Sequence, residues 1–133
     1  MIGVDTNVLV RYLIKDDNPV QHGKAVRFMQ DRTYQDPAYI SLIVLTETVW
    51  VLTQRLQYRP EFVADAVHVL LSCDFIAFEK QESLVSLFNS DSNHRTDIAD
   101  YLIAASNRYA GCTKTITFDR KAAKAVDGME LLK

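Results

Sequence analysis

The chain has 133 residues, enough for one domain that buries roughly two thirds of its unfolded surface. Its apolar fraction of 48% and charged fraction of 24% are ordinary for a soluble globular protein. No apolar run approaches the ~20 residues of a membrane span. The formal net charge of −2 argues against a protein that holds nucleic acid mainly by bulk positive charge, although it leaves room for local basic patches.

Short apolar strands alternate with helices along the chain. Strands are predicted at 1–4, 38–41, 75–78, 115–118 and, as a possible fifth, 129–132. Helices are predicted from about 6 to 14, from 19 to about 31, from 42 onward, from about 60, and over 81–89, 97–110 and 119–126. Turns or loops are expected at 16–19 and 91–95.

Several residues are typical of helix ends. Asn18 is the expected cap of the second helix, with Pro19 at its first position, and Ser41 is expected to cap the long third helix. Gly111 suits the carboxyl end of the helix over 97–110. The order of elements predicts a single three-layer α/β/α domain over residues 1–133, with a short, mostly parallel central sheet of four to five strands. In such sheets the ligand site lies outside the carboxyl ends of the strands.

Two aspartates directly follow predicted strands. Asp5 comes after MIGV, and Asp119 comes after TITF, so both are expected at the same edge of the sheet. Each also precedes a helix, and aspartate is a preferred helix N-cap, so capping is an open alternative for either residue taken alone.

Asp100 and Asp97 lie on one face of a predicted helix. Asp97 is in the first turn, where the helix dipole favours an acid, so a capping or supporting role is expected for it. Asp100 lies further inside the helix, near Ile103 and Ala104, and is harder to explain by capping. We therefore expect Asp100 to be a functional ligand.

Glu47 stands within the apolar run IVLTETVWVL, residues 43–52. Its helical neighbours include Ile43, Val44, Trp50 and Val51, so its side chain is expected to point toward the core. An unpaired buried carboxylate is costly, and a divalent cation shared with other carboxylates would remove that cost. Oxygen ligands without His or Cys suit Mg²⁺, or Mn²⁺. The alternative is that Glu47 is a surface residue or pairs with an arginine.

Other chemistries find little support. His22, His68 and His94 lack a paired acid or cysteine at useful spacing, and Cys73 and Cys112 are isolated thiols typical of a reducing cytoplasm. The chain contains no P-loop, dinucleotide-binding or hydrolase-elbow motif. The amino terminus does not read as a signal peptide, so a cytoplasmic protein is expected.

With these residues placed, the chain resembles a PIN domain, and most closely the VapC-type toxin ribonucleases of prokaryotic toxin–antitoxin pairs. The segments that carry the resemblance are IGVDTNVLVRYL, SLIVLTETVWVL, DIADYLIAA and TITFDRKA. The resemblance covers nearly the whole chain, and four such segments occur in the family's order.

The resemblance implies a magnesium site formed by Asp5, Glu47, Asp100 and Asp119. Asp97 matches an additional acid that only some relatives have. Thr6 and Thr117, beside the two strand-end aspartates, would orient those carboxylates.

The activity implied is metal-dependent hydrolysis of RNA phosphodiester bonds, with no protein nucleophile. A cognate antitoxin protein and a homodimer are also implied, and no membrane is involved. RNA phosphates are expected to contact Arg120, Lys121 and Lys124, with Arg95 and Lys114 near the other acidic segments, although an ordinary solvated helix face would also explain these charges. The tyrosines at 34, 39 and 58 are candidates for an interface, whereas Trp50 is expected in the core.

Two alternatives remain open from the sequence. One is a catalytically silent PIN-like module that binds RNA or protein and uses the acids structurally. The other is a receiver-like phosphotransfer domain, which would need an aspartate after the third strand and paired acids after the first. Neither FIAFEK nor VDTN provides these convincingly.

Overall fold

A computed structural model of the chain describes residues 1–15, 17–89 and 97–133. Seven α-helices and five β-strands are found there. The strands are β1 (Ile2–Gly3), β2 (Ala38–Ile40), β3 (Ile76–Phe78), β4 (Thr115–Thr117) and β5 (Met129–Leu131). The helices are α1 (Thr6–Leu13), α2 (Pro19–Gln30), α3 (Leu42–Trp50), α4 (Pro60–Leu71), α5 (Gln81–Asn89), α6 (Ile98–Tyr109) and α7 (Arg120–Ala125). A π-helical segment, Val51–Arg55, continues α3.

The predicted helix ends are confirmed where capping residues define them. The Gln21 N–H donates to the Asn18 side chain at 3.0 Å, and Pro19 begins α2. The Val44 N–H donates to Ser41 Oγ at 3.2 Å, which fixes the start of α3. Gly111 follows α6 with φ of +98°, a conformation that favours glycine. The other boundaries agree with the sequence predictions to within a residue or two.

The strands form two parallel sheets rather than the single sheet predicted. One sheet has the order β1-β2-β3, and β4 pairs with β5 in the other. Within the described ranges, no strand pairs with the outer edge of β1 or with the outer edge of β4. The prediction of a mixed α/β fold with parallel strands is confirmed, and the prediction of one sheet of four to five strands is wrong.

Two strands of the three-stranded sheet, β2 and β3, are buried on one face and largely covered on the other, whereas both residues of β1 are exposed. In β2 and β3, residues of one face are buried and those of the other are at least half-buried, as expected for the middle layer of a three-layer domain. The main core includes Leu9, Ile40, Leu45, Val63 and Leu102. Among the described residues, no helix is both long enough and apolar enough to cross a membrane.

A second, smaller core holds the β4–β5 sheet to helix α6. Tyr101 and Ala104 of α6 pack with Ala122, Val126 and Met129, and the Tyr101 hydroxyl donates to the Ala125 carbonyl at 2.8 Å. Helix α6 also packs along α3. The carboxyl-terminal strands are therefore attached through α6 and not through β1.

Two predictions placed on the described chain are wrong about burial. Glu47 is exposed, and Trp50 is 51% exposed, because α3 turns its Leu45, Thr48 and Val49 side to the core. The predicted loop at 91–95, with His94 and Arg95, lies outside the described residues, as does the first residue of the predicted turn at 16–19.

Candidate active site

The strand-end aspartates both cap helices. Asp5 precedes α1 and accepts a hydrogen bond from the Thr6 N–H at 2.8 Å through Oδ1. Asp119 precedes α7 and accepts one from the Ala122 N–H at 3.0 Å, also through Oδ1. Both side chains are exposed, and each has its second oxygen, Oδ2, outside the capping bond. Capping and cation binding are therefore compatible roles for these residues.

Asp5 and Glu47 line one cavity, of about 330 Å³, between α1 and α3. Arg11 and Arg55 line the same cavity, as do Trp50 and Asp17. Arg11 forms an ion pair with Asp17 and a hydrogen bond from Nε to Gln21 at 2.9 Å. Acids and arginines thus share this cavity, which we call the first acidic cavity.

The first acidic cavity includes two arginines that the sequence analysis missed. Arg11 follows Asn7 by four residues along α1, and Arg55 follows Glu47 by eight, or about two helical turns. Its spacing from Glu47 on one helix could have identified Arg55, whereas Arg11 is six residues from Asp5 and had no such signal. The run of basic residues after Asp119 is the more conspicuous charge cluster in the sequence.

Asp97, Asp100 and Asp119 line a second cavity, of about 210 Å³, which we call the second acidic cavity. Val49 and Thr53 form part of its wall, so it touches a different side of the α3 and π-helical segment from the side that carries Glu47. Lys121 also lines it, with Nζ 3.9 Å from Asp97 Oδ1. Asp97 occupies the N-cap position of α6, but its side chain makes no capping hydrogen bond.

The surroundings of Asp100 in the second acidic cavity raise the pKa of its carboxyl group. Burial raises the pKa of the Asp100 carboxyl, and the negative charges of Asp119 and Asp97 raise it further, while Lys121 opposes them. A partly buried carboxyl whose pKa is raised by burial and by neighbouring acids is typical of a functional site. The Asp100 carboxylate would gain most from a bound cation.

The four acids predicted as ligands are therefore divided between two cavities. Asp5 and Glu47 are brought together in one, and Asp100 and Asp119 in the other. Across residues 1–15, 17–89 and 97–133, no three His, Cys, Asp or Glu side chains are arranged to hold a metal ion. The joint four-acid site remains a prediction.

The threonines predicted to orient the aspartates act differently from one another. Thr117 Oγ1 accepts a hydrogen bond from the Asp119 N–H at 3.0 Å, so it fixes the backbone of that aspartate. Thr6 is buried and holds Asp5 through its backbone N–H, while its hydroxyl has no partner among the described atoms. The role predicted for the Thr6 hydroxyl stays a prediction.

The basic residues after Asp119 also point in two directions. Lys121 faces the second acidic cavity, whereas Arg120 and Lys124 line a separate open cavity of about 580 Å³ with Lys133. Lys114 pairs with Glu130 at 2.8 Å. Among the described basic residues that follow Asp119, Arg120 and Lys124 therefore line neither acidic cavity.

Comparison with protein families shows which family this chain belongs to. The family model for the PIN domain matches residues 2–128, almost the entire chain. The chain belongs to the PIN domain family. PIN domains are generally divalent-metal-dependent nucleases, so the acids stand in a nuclease-type fold. A search of curated proteins finds no match to the chain. Family membership favours the PIN interpretation over the receiver-like alternative.

Proposed function

We propose that this PIN domain is a Mg²⁺-dependent endoribonuclease and the toxin of a type II toxin–antitoxin pair, similar to VapC. The observation that carries the proposal is the second acidic cavity, where burial and two neighbouring acids raise the pKa of Asp100. A protein gains nothing in stability from such a cluster, because its charges repel one another. A cation-dependent activity would explain the cluster, because a bound cation offsets the repulsion between the carboxylates.

The donor chemistry fits magnesium. Asp5, Glu47, Asp100 and Asp119 are the proposed ligands, with Asp97 beside them, and all offer carboxylate oxygens, which suit Mg²⁺ or Mn²⁺. A bound divalent cation would activate the attacking water and neutralise charge on the phosphoryl oxygens.

The chain's own residues prepare this site by fixing the acids. Asp5 and Asp119 each use Oδ1 to cap a helix, so their carboxylates are held in place before any cation arrives. Lys121 opposes the raised pKa of Asp100 and so favours its charged form. Arg11 and Arg55 beside Asp5 and Glu47, together with Arg120 and Lys124, are proposed to contact RNA phosphates. Such local basic groups could bind phosphates although the whole chain has a net charge of −2.

The partners are proposed from the resemblance. A cognate antitoxin would cover the acids, and the nuclease would act as a homodimer in the cytoplasm. A single domain over residues 1–133 is also proposed, because the family model extends over residues 2–128. Co-purification with the product of a small adjacent reading frame, and inhibition by it, would distinguish a toxin from a housekeeping nuclease.

The test of the proposed function is RNA cleavage with Mg²⁺ and with EDTA, using the wild type and Asp5→Asn. We expect the wild type to cut RNA only with the metal, and Asp5→Asn to be slower by at least about 100-fold, since even groups that merely support metal ligands cost 10–100-fold. Asparagine is itself a good N-cap, so α1 should remain folded. RNA binding without cleavage would instead indicate the silent module.

Charge reversal at Arg120 should weaken RNA binding without weakening Mg²⁺ binding. Arg120 is exposed and lines a cavity that contains none of the proposed ligands, so Arg120→Glu removes a phosphate contact only. We expect RNA affinity to fall about tenfold at low salt, measured by filter binding with Mg²⁺ affinity measured by calorimetry. Lys121 is unsuitable for this test because it lies beside Asp97.

The matched control is Arg27→Glu. Arg27 is an exposed arginine of α2 that lines neither acidic cavity, so the same charge change there should leave RNA affinity nearly unaltered. Equal RNA affinity for Arg120→Glu and the wild type would remove Arg120 from the proposed RNA surface.

A further inference from the structure

A groove with mainly apolar walls lies between α3 and α6, and we call it the α3–α6 groove. Leu42, Ile43 and Trp50 form part of its α3 wall, and Leu102 and Ile103 form part of its α6 wall. Three of these side chains are well exposed, Ile43 at 81%, Trp50 at 51% and Ile103 at 44%. The groove encloses about 520 Å³, a volume typical of sites that bind small organic groups. Contiguous exposed apolar groups of this kind usually mark a binding surface.

The sequence of α3 explains why these groups are exposed. Ile43, Glu47 and Trp50 follow one another by four and three residues, so they lie on one face of the helix. The other side of α3 is the one that is buried in the main core. The apolar side chains of the exposed face therefore do not serve the core, and a carboxylate stands between them.

The α3–α6 groove adjoins the first acidic cavity. Glu47 and Trp50 line both, so they form the border between the groove and the cavity that contains Asp5. A nucleobase is joined to its phosphate through a single sugar. An RNA phosphate bound at Asp5 and Glu47 would therefore place its own base, or the next one, beside Trp50. Arg55 lies on the cavity side of this border, where a neighbouring phosphate would pass.

The chemistry of the groove suits a nucleobase. Single-stranded RNA is recognised mainly through unstacked bases, which stack on aromatic side chains and form hydrogen bonds at their edges. Trp50 supplies an exposed aromatic surface, and Thr46, Ser106 and Asn107 add polar groups to the walls. Asn107 donates from Nδ2 to Thr115 Oγ1 at 2.9 Å, which leaves its Oδ1 as an acceptor. A flat apolar group with polar edges matches this combination.

We propose that the α3–α6 groove binds one unstacked base of the RNA substrate, which stacks on Trp50 beside the carboxylates of the first acidic cavity. This inference rests on the proposed function, because a phosphate bound at the acids is what brings the base to the groove. A permanently bound helix or second copy would also suit the apolar walls. It would, however, cover Glu47, which the reaction needs open to substrate.

Fluorescence tests the base site without any need for cleavage. Trp50 is the only tryptophan of the chain, so its emission reports on this border alone. We expect a short single-stranded oligoribonucleotide, added with Mg²⁺ or with EDTA at low salt, to quench that emission by stacking. An abasic oligonucleotide of the same length keeps the phosphates and should leave the emission nearly unchanged. Emission that a bound RNA does not alter would overturn the base site. So would emission that changes with protein concentration alone, as a second copy in the groove would produce.

Substitution of Trp50 provides a second test. Trp50→Ala should weaken binding of the oligoribonucleotide about tenfold, whereas Trp50→Phe, which keeps an aromatic face, should weaken it less than about threefold. Binding is measured by the anisotropy of a labelled oligonucleotide. Melting temperatures check that both variants are folded. Equal affinities for Trp50→Ala and the wild type, or equal losses for the two variants, would contradict stacking on Trp50.

Phe62→Ala is the matched control. Phe62 is 50% exposed, stacks on Tyr58, and lines neither the α3–α6 groove nor either acidic cavity. Its replacement should therefore leave RNA affinity within about twofold of the wild type. A loss as large as that of Trp50→Ala would mean that any exposed aromatic group contributes equally, and the groove would not be a base site.

Binding and cleavage together separate this inference from the proposed function. If RNA quenches Trp50 but is not cut with Mg²⁺, the base site stands and the proposed nuclease is wrong. If RNA is cut with Mg²⁺ while the emission of Trp50 stays unchanged, the nuclease stands and the base site is wrong.

Discussion

Asp100→Asn should reduce metal-dependent RNA cleavage by at least about 100-fold, since removing a ligand costs more than removing a group that supports one. The same substitution should raise the melting temperature of the metal-free protein. The reason is that Asp100 is partly buried beside Asp119 and Asp97, which makes its charged form unfavourable without a cation. Asparagine keeps the size of the side chain and removes the charge.

The gain in stability should depend on pH with a definite sign. The pKa of Asp100 is raised in the folded protein, so the folded state holds this proton more tightly than the unfolded state. The contribution of Asp100 to stability is therefore complete below the ordinary pKa of aspartate and is lost as pH rises through the raised value. Melting temperatures of the metal-free wild type and Asp100→Asn should diverge as pH rises through that window and stay apart at neutral pH.

Asp74→Asn is the matched control for this substitution. Asp74 is an exposed aspartate in the turn before β3 that lines neither acidic cavity, so its replacement should change neither cleavage nor the melting temperature appreciably. A metal-free Asp100→Asn protein that melts at or below the wild-type temperature at neutral pH would contradict the electrostatic account of the second acidic cavity.

Leu102→Ala should destabilise the protein by about 2–5 kcal/mol, the usual cost of a buried leucine-to-alanine change. Leu102 is 1% exposed and lies in the main core, where α6 packs along α3. This contact sets the position of Asp97 and Asp100 relative to Glu47. The free energy of unfolding, measured by urea denaturation, tests the packing directly.

The neighbouring residue provides the control for Leu102. Ile103 is 44% exposed on the same helix, so Ile103→Ala should cost less than about 1 kcal/mol. Similar losses for the two variants would mean that α6 packs on α3 with a different face from the one described.

The sequence was most informative where a single residue type determines local geometry. Asn18, Ser41 and Gly111 marked helix ends correctly, because capping and positive φ depend on neighbours within a few residues. Asp5 and Asp119 were found after strands for the same reason. Helix ends that depend on local hydrogen bonds can therefore be predicted from a few neighbouring residues.

Features that depend on distant contacts were harder to predict. Alternation of strands and helices indicated parallel strands, but it does not say which strand edges meet, and in the described chain β4 pairs with β5 and is not paired with β1. The prediction for Glu47 failed because α3 is apolar almost all round, so the sequence pattern could not show which side faces the core. Trp50 was misplaced for the same reason.

The central claim is that carboxylates from the two acidic cavities bind the same cation. Calorimetric titration with Mn²⁺ of the wild type, Asp5→Asn and Asp119→Asn tests it most directly. We expect each substitution to weaken the same binding event by at least about tenfold, since both remove a ligand from one site. Undiminished Mn²⁺ affinity in either variant would show that its cavity takes no part in that site, and would contradict the claim.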